Sequence, residues 1–177
     1  MKLFLLLLLM ATLLLGFADE GEAAPVSDIH NFHNIDDDLL TAGQVRPRHV
    51  LGLQNEGVQM VVNLAPANEE RNKEEGFLVT GAGISYVHIP IQWDNPMDAD
   101  LQLFFAVMAA RQNRKTLVHC FANYRASAFT YLYRVLQEGV DEAVAREDLR
   151  KVWDEEAFDH APQWRVFIDR HVSGASE

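Results

Sequence analysis

Thr116-Leu-Val-His-Cys120-Phe-Ala-Asn-Tyr-Arg125-Ala-Ser127 is the stretch on which the reading of this 177-residue chain turns. Leu117 and Val118 form a short apolar run of the kind found in a buried strand, and His119 and Cys120 fall where that strand should end. From Ala126 the period changes: Ala128, Phe129, Tyr131, Leu132, Val135 and Leu136 recur at helical spacing up to Gly139. The loop between strand and helix gathers backbone N–H groups that lack intrahelical partners, at the positive end of the helix dipole, where an anion is held. The same field favours a thiolate, the nucleophilic form of cysteine. Arg125 adds a planar fork of donors suited to an oxyanion such as phosphate. Nucleophile, anion cradle and charge clamp thus share one segment.

On either side of this stretch, strands and helices alternate. Asp98 to Asn113 reads as an amphipathic helix with Leu101, Phe104, Phe105 and Met108 on one face, leading directly into the Cys120 strand. Leu39 to Gln44 reads as a short strand and turn. Pro47 opens a helix carrying Val50, Leu51 and Leu53, which stops at Gly57. Met60 to Leu64 is a buried strand ended by Pro66. Asn68 to Thr80 reads as a charged helix, broken by Gly81 and Gly83 before a strand over Ile84 to Ile91. Beyond Gly139, Asp141 to Trp153 and Pro162 to Val172 are expected to be helices. The order predicts a single α/β domain with a central, mainly parallel sheet flanked by helices.

Lys2 followed by the leucine-rich run Leu3 to Phe17 reads as a cleaved signal peptide over residues 1–18, since the run is shorter than the ~20 residues needed to span a bilayer. Residues 19–28 are expected to be a linker, and 29–177 the domain. An exported protein, periplasmic or secreted, is implied, with no stable membrane insertion after cleavage. The formal charge of -11 argues against nucleic-acid and anionic-membrane partners. Arg111, Arg114, Lys115 and Arg125 gather around the key strand and offset that charge locally. The single cysteine excludes an internal disulfide, and catalysis is the simplest explanation for a cysteine that export subjects to oxidation. His30 and His33 read as ordinary histidines rather than a metal pair.

The string HCFANYRASAF resembles the active loop of cysteine-dependent protein tyrosine and dual-specificity phosphatases. That loop is usually H-C-x5-R-[S/T]. Here four residues separate Cys120 from Arg125, which is similar to a bacterial branch with a shortened C-x4-R loop. Asn123 stands where the family normally has glycine, and Asn tolerates positive φ better than other non-glycine residues. The hydroxyl falls one place late, at Ser127. The resemblance extends over roughly residues 29–164, with weaker elements at Thr41-Ala42-Gly43-Gln44 and Val62-Asn63-Leu64. It implies phosphomonoester hydrolysis through a phosphocysteine, without metal or cofactor, on a phosphorylated protein or a small phosphate ester. It further implies that Cys120 attacks, Arg125 holds the phosphoryl oxygens, and His119, Phe121, Ala122, Asn123, Tyr124, Ala126 and Ser127 complete the phosphate-binding loop.

The family supplies its general acid from another loop. Gln92-Trp93-Asp94-Asn95-Pro96 follows a strand that should end at the same sheet edge, so Asp94 is the expected acid, ahead of Asp98 and Asp100 at the following helix start. Two other classes fit the loop: a rhodanese-like sulfurtransferase carrying a persulfide, and a module that binds anions without turnover.

Overall fold

A computed structural model describes residues 23–173. The signal peptide expected over residues 1–18 lies outside the described residues. Residues 23–28, in the segment read as a linker, pack on the domain: Val26 is buried in a short 3₁₀ turn, and the Ala24 N–H donates to the Arg48 carbonyl.

Five strands form one sheet in the order β1-β2-β5-β3-β4. They are β1 (His33–Asn34), β2 (Leu39–Ala42), β3 (Met60–Asn63), β4 (Ser85–His88) and β5 (Thr116–His119). Only β1 runs antiparallel to its neighbour, and β5 is central, paired in parallel with β2 and β3. Helices α1 (Val50–Asn55), α2 (Glu75–Gly81), α3 (Asp98–Ala110), α4 (Tyr124–Leu136), α5 (Glu142–Arg150), α6 (Glu155–His160) and α7 (Pro162–Ser173) cover its two faces.

The strands are apolar on both sides because both faces are covered, as parallel sheets require. Leu39, Met60, Val62 and Val118 pack with Leu101, Phe104, Phe105 and Met108 of α3 and with Phe129, Leu132, Trp164 and Phe167 behind them. Leu40, Val61 and Leu117 point the other way, into a smaller core with Val26, Leu53, Val79 and Ile84. Burial of such side chains contributes about 1.5–3 kcal/mol each.

Three expectations are corrected in detail. The charged helix begins at Glu75, not Asn68. Ahead of it, the Asn68 side chain accepts the Glu70 and Arg71 N–H groups and the Asn72 side chain accepts that of Asn68, in a run of local turns. The strand expected up to Ile91 ends at His88, two residues before Pro90. A further helix, α6, lies between the two expected at the C-terminal end, capped by the Asp154 side chain accepting the Ala157 N–H.

Candidate active site

All four parallel strands end at one edge of the sheet, and Cys120 follows β5 at the centre of that edge. The loop after it is tied to the end of β2. Gln44 N–H donates to the Phe121 carbonyl at 3.2 Å and Cys120 N–H to the Ala42 carbonyl at 3.3 Å. Gly43 is needed here, since a Cβ would stand 2.7 Å from the His30 carbonyl oxygen and 3.1 Å from that of Phe121. Asn123, at φ 69°, takes the left-handed conformation that the sequence assigns to it. Its amide donates to the Asn31 carbonyl at 2.6 Å and to the Thr41 hydroxyl at 3.0 Å, locking the turn from beneath.

The consequence is a loop whose own donors are left over. The N–H groups of Phe121, Ala122, Tyr124, Arg125 and Ala126 make no backbone hydrogen bond among the described residues. They precede or open the 13-residue helix α4, so they carry its positive end. Cys120, Phe121, Ala122, Tyr124 and Arg125 line a cavity of about 180 Å³ together with Trp93. Cys120 is 1% exposed, and Arg125 is 7% exposed. The Arg125 guanidinium lies 5.1 Å over the Trp93 ring, yet its Nε has no hydrogen-bond partner and the arginine forms no ion pair among the described residues.

Trp93 brings the loop after β4 to this cavity. Its carbonyl accepts from Trp164 Nε1 at 2.9 Å and Gln163 Nε2 at 3.3 Å, and its ring stacks on Trp153. Trp153 in turn donates to the Tyr124 carbonyl at 2.9 Å. Asp94 is the next residue, exposed, and its carboxylate has no hydrogen bond or ion pair among the described residues; it does not line the cavity. The rival positions are differently placed. Asp98 pairs with Arg170 and lies 3.3 Å from His171 Nε2, which binds it to the end of α7. Burial pushes the Asp100 carboxyl above its ordinary range.

Ser127, expected in the anion-binding loop, belongs instead to the first turn of α4. Its hydroxyl donates to the Asn123 carbonyl at 2.8 Å and it lines a separate narrow cavity with Thr130 and Arg134. Helix geometry turns a hydroxyl at this position back onto the preceding turn. His119, Asn123 and Ala126 are fully buried behind the loop and do not line the cavity.

A buried polar cluster beneath the loop escaped the sequence reading. Glu75 Oε1 lies 2.6 Å from His119 Nε2, set off the direction of an N–H bond. The same carboxylate accepts from Gln44 at 2.6 Å and from Tyr86 at 3.2 Å, and Asn63 donates to the Tyr86 hydroxyl at 2.8 Å. Burial, and then the Glu75 charge, push the Tyr86 phenol up, so it stays a donor. Gln44 and Asn63 lie in the two weaker elements of the resemblance, and both serve this cluster.

A mainly parallel sheet with a cysteine-to-arginine anion loop at its central strand end defines the phosphatase-like α/β class. Comparison narrows the class. No family model matches the chain, and no curated protein does. Among solved structures, a DUF442 candidate phosphatase from Shewanella putrefaciens CN-32 is 34% identical, with 82% of this chain and 91% of that chain covered at a TM-score of 0.73. The chain belongs to that DUF442 phosphatase-like family. P. aeruginosa TpbA is 20% identical (89% and 99% covered, TM-score 0.65). The core catalytic domain of the S. cerevisiae PP-IP phosphatase SIW14 is 16% identical (84% and 88% covered, TM-score 0.66). These two share the fold.

Proposed function

We propose that the protein hydrolyses phosphate monoesters through a phosphocysteine. The carrying observation is Arg125: a buried cation with no acidic partner among the described residues, on the wall of the cavity that Cys120 lines. Leaving a charge buried and unpaired costs several kcal/mol, which a bound oxyanion offsets. Family membership supports the reading, as does a TpbA structure in complex with pTyr.

In the first step the Cys120 thiolate attacks phosphorus, an S–P bond forms, and the P–O bond to the leaving group breaks. Arg125 and the free loop N–H groups hold the phosphoryl oxygens as their charge redistributes. Asp94 passes its proton to the departing oxygen. In the second step the Asp94 carboxylate takes a proton from water as that water attacks phosphorus. The S–P bond breaks, and inorganic phosphate leaves with the thiolate restored. The test is phosphate release from an aryl phosphate by the chain without its leader, residues 19–177, with mass spectrometry of the quenched enzyme. A phosphate adduct on Cys120, absent with Cys120→Ser, is expected. Turnover surviving in Cys120→Ser overturns the mechanism. Sulfur transfer from thiosulfate to cyanide without phosphate release favours the rhodanese-like reading, and ligand binding with neither activity favours the binding module. The apolar leader supports export, which the N-terminal sequence of protein recovered from the periplasm or medium decides.

A further inference from the structure

A second cavity, of about 520 Å³, adjoins the one at Cys120, and Phe121 lines both. Arg46, Arg48 and Arg71 stand on its walls. Arg71 lies 4.7 Å over the Phe121 ring, which holds its guanidinium at the boundary between the two cavities. Among the described residues, arginine ion pairs involve Arg111, Arg134, Arg146, Arg165 and Arg170, so none of these three is held in an ion pair. Asp28 and Glu70 share the wall and leave arginine in excess, in a chain whose formal charge is -11. Clustered cations in a concave site focus their field on an incoming anion.

A second observation comes from His49, which is 1% exposed and also lines this cavity. Its Nδ1 accepts the Arg46 backbone N–H at 3.1 Å. Burial, followed by the charges of Arg48 and Arg46, holds its pKa below the ordinary range and keeps the ring neutral. The ring proton therefore sits on Nε2, a buried donor with no partner among the described residues.

We infer that the Arg46–Arg48–Arg71 cavity is a second anion subsite, occupied by a further phosphate or carboxylate of the substrate whose scissile phosphate sits at Cys120. The substrate class is then a phosphate ester carrying at least two anionic groups. This rests on the phosphatase reading above. Phe121 forms the divide between the subsites, so the distance between the two anions becomes a selectivity determinant.

The test compares phosphate release from alkyl monophosphates, α,ω-alkanediol bisphosphates and ω-carboxyalkyl phosphates of graded chain length. At the favoured length, kcat/KM for a bis-anion should exceed that for the monophosphate by at least about tenfold, as a charged hydrogen bond supplies. Two equivalent scissile groups alone give about twofold. The excess should collapse in Arg46→Gln/Arg48→Gln and, from a different loop, in Arg71→Gln, with folding checked by circular dichroism. The carboxylate arm separates phosphate from general anion recognition. A ratio of about twofold for bisphosphates, and none for the carboxylates, at every length in wild type overturns the inference. An excess that survives both sets of variants does so too. If no compound releases phosphate, the phosphatase reading fails by itself. Calorimetric affinity of the same compounds for the Cys120→Ser protein then decides the subsite: tighter bis-anion binding lost in the arginine variants supports it, and equal affinities overturn it.

Discussion

Helix α4 carries two arginines that are buried almost equally and partnered in opposite ways. Arg134, 8% exposed, donates to Asp148 Oδ2 at 2.7 Å, and the other oxygen of that carboxylate lies 2.8 Å from His33 Nε2 and 3.0 Å from Lys151 Nζ. Arg125, 7% exposed, has the Trp93 face and no carboxylate among the described residues. Burying a guanidinium is costly in either place. At Arg134 the compensation lies within the fold, joining α4 to α5 and to β1. At Arg125 it has to come from outside, which distinguishes an anion site from a structural ion pair.

Exchanging Arg125 for Met is the sharpest way to break this contrast. It should lower kcat/KM for aryl phosphate by roughly 10³–10⁵-fold, the range for an arginine that holds a transferring phosphoryl group. The same exchange should leave the urea midpoint unchanged or raised, because an unpaired buried charge is replaced by an apolar chain. A lowered midpoint would show that Arg125 has a partner in the fold.

A second pair of residues extends the comparison to carboxylates. Glu75 is enclosed by Gln44, Tyr86, Asn63 and His119, whereas Asp94 is exposed and unpartnered among the described residues. Asp94→Asn should slow hydrolysis of an alkyl phosphate by roughly 10²–10⁴-fold and affect a nitrophenyl phosphate far less, since that leaving group needs little protonation. Asp98→Asn and Asp100→Asn are the controls. A selective loss in Asp100→Asn instead would move the acid to α3, where burial already raises that carboxyl.

The two regions were unequally legible in the sequence. The anion loop is local: an apolar strand, seven residues and a helical period, so Cys120, Arg125 and the left-handed Asn123 follow from adjacent letters. The strands of the sheet are legible for the same reason, because burial on both faces leaves runs such as Met60-Val-Val-Asn63. Glu75 was hidden because it lies in a charged string whose ordinary reading is a solvated helix. Only the pairing of β3 with β5 brings that helix under His119. Ser127 lies off the loop because a motif matched one place late carries no information about the direction of a hydroxyl on a helix. The partnerless state of Arg125 is likewise invisible in sequence, since 26 acidic residues were available to pair with it.

Exchange at the paired arginine should produce the converse of the Arg125 result. Arg134→Met is expected to destabilise the fold by about 3 kcal/mol, near the lower end for breaking a buried pair, because the pair retains some exposure and Lys151 and His33 remain beside Asp148. Activity per folded molecule should be retained. A loss of activity as large as that of Arg125→Met, in protein shown to be folded, would mean that the far turns of α4 set the loop, and the contrast would fail.

The smallest expected effect is a pH dependence at the paired end. Burial opposes ionisation of Asp148, but the hydrogen bonds from His33, Lys151 and Arg134, together with the Arg134 charge, prevail and hold its carboxyl below the ordinary range. A group whose pKa is lower in the folded chain than in the unfolded one stabilises the fold above the unfolded value, near ~3.9 for aspartate. That stability is lost as pH falls through the folded value. The urea midpoints of wild type and Asp148→Asn should therefore differ most near neutrality and converge in acid below about pH 4. Repeating the pair of measurements in an Arg134→Met background should shrink the neutral-pH difference, since two of the causes of the shift are gone. In an Arg125→Met background it should stay as in wild type. A difference independent of pH would mean that Asp148 contributes through shape alone, and that the two ends of α4 are less opposed than their partners indicate.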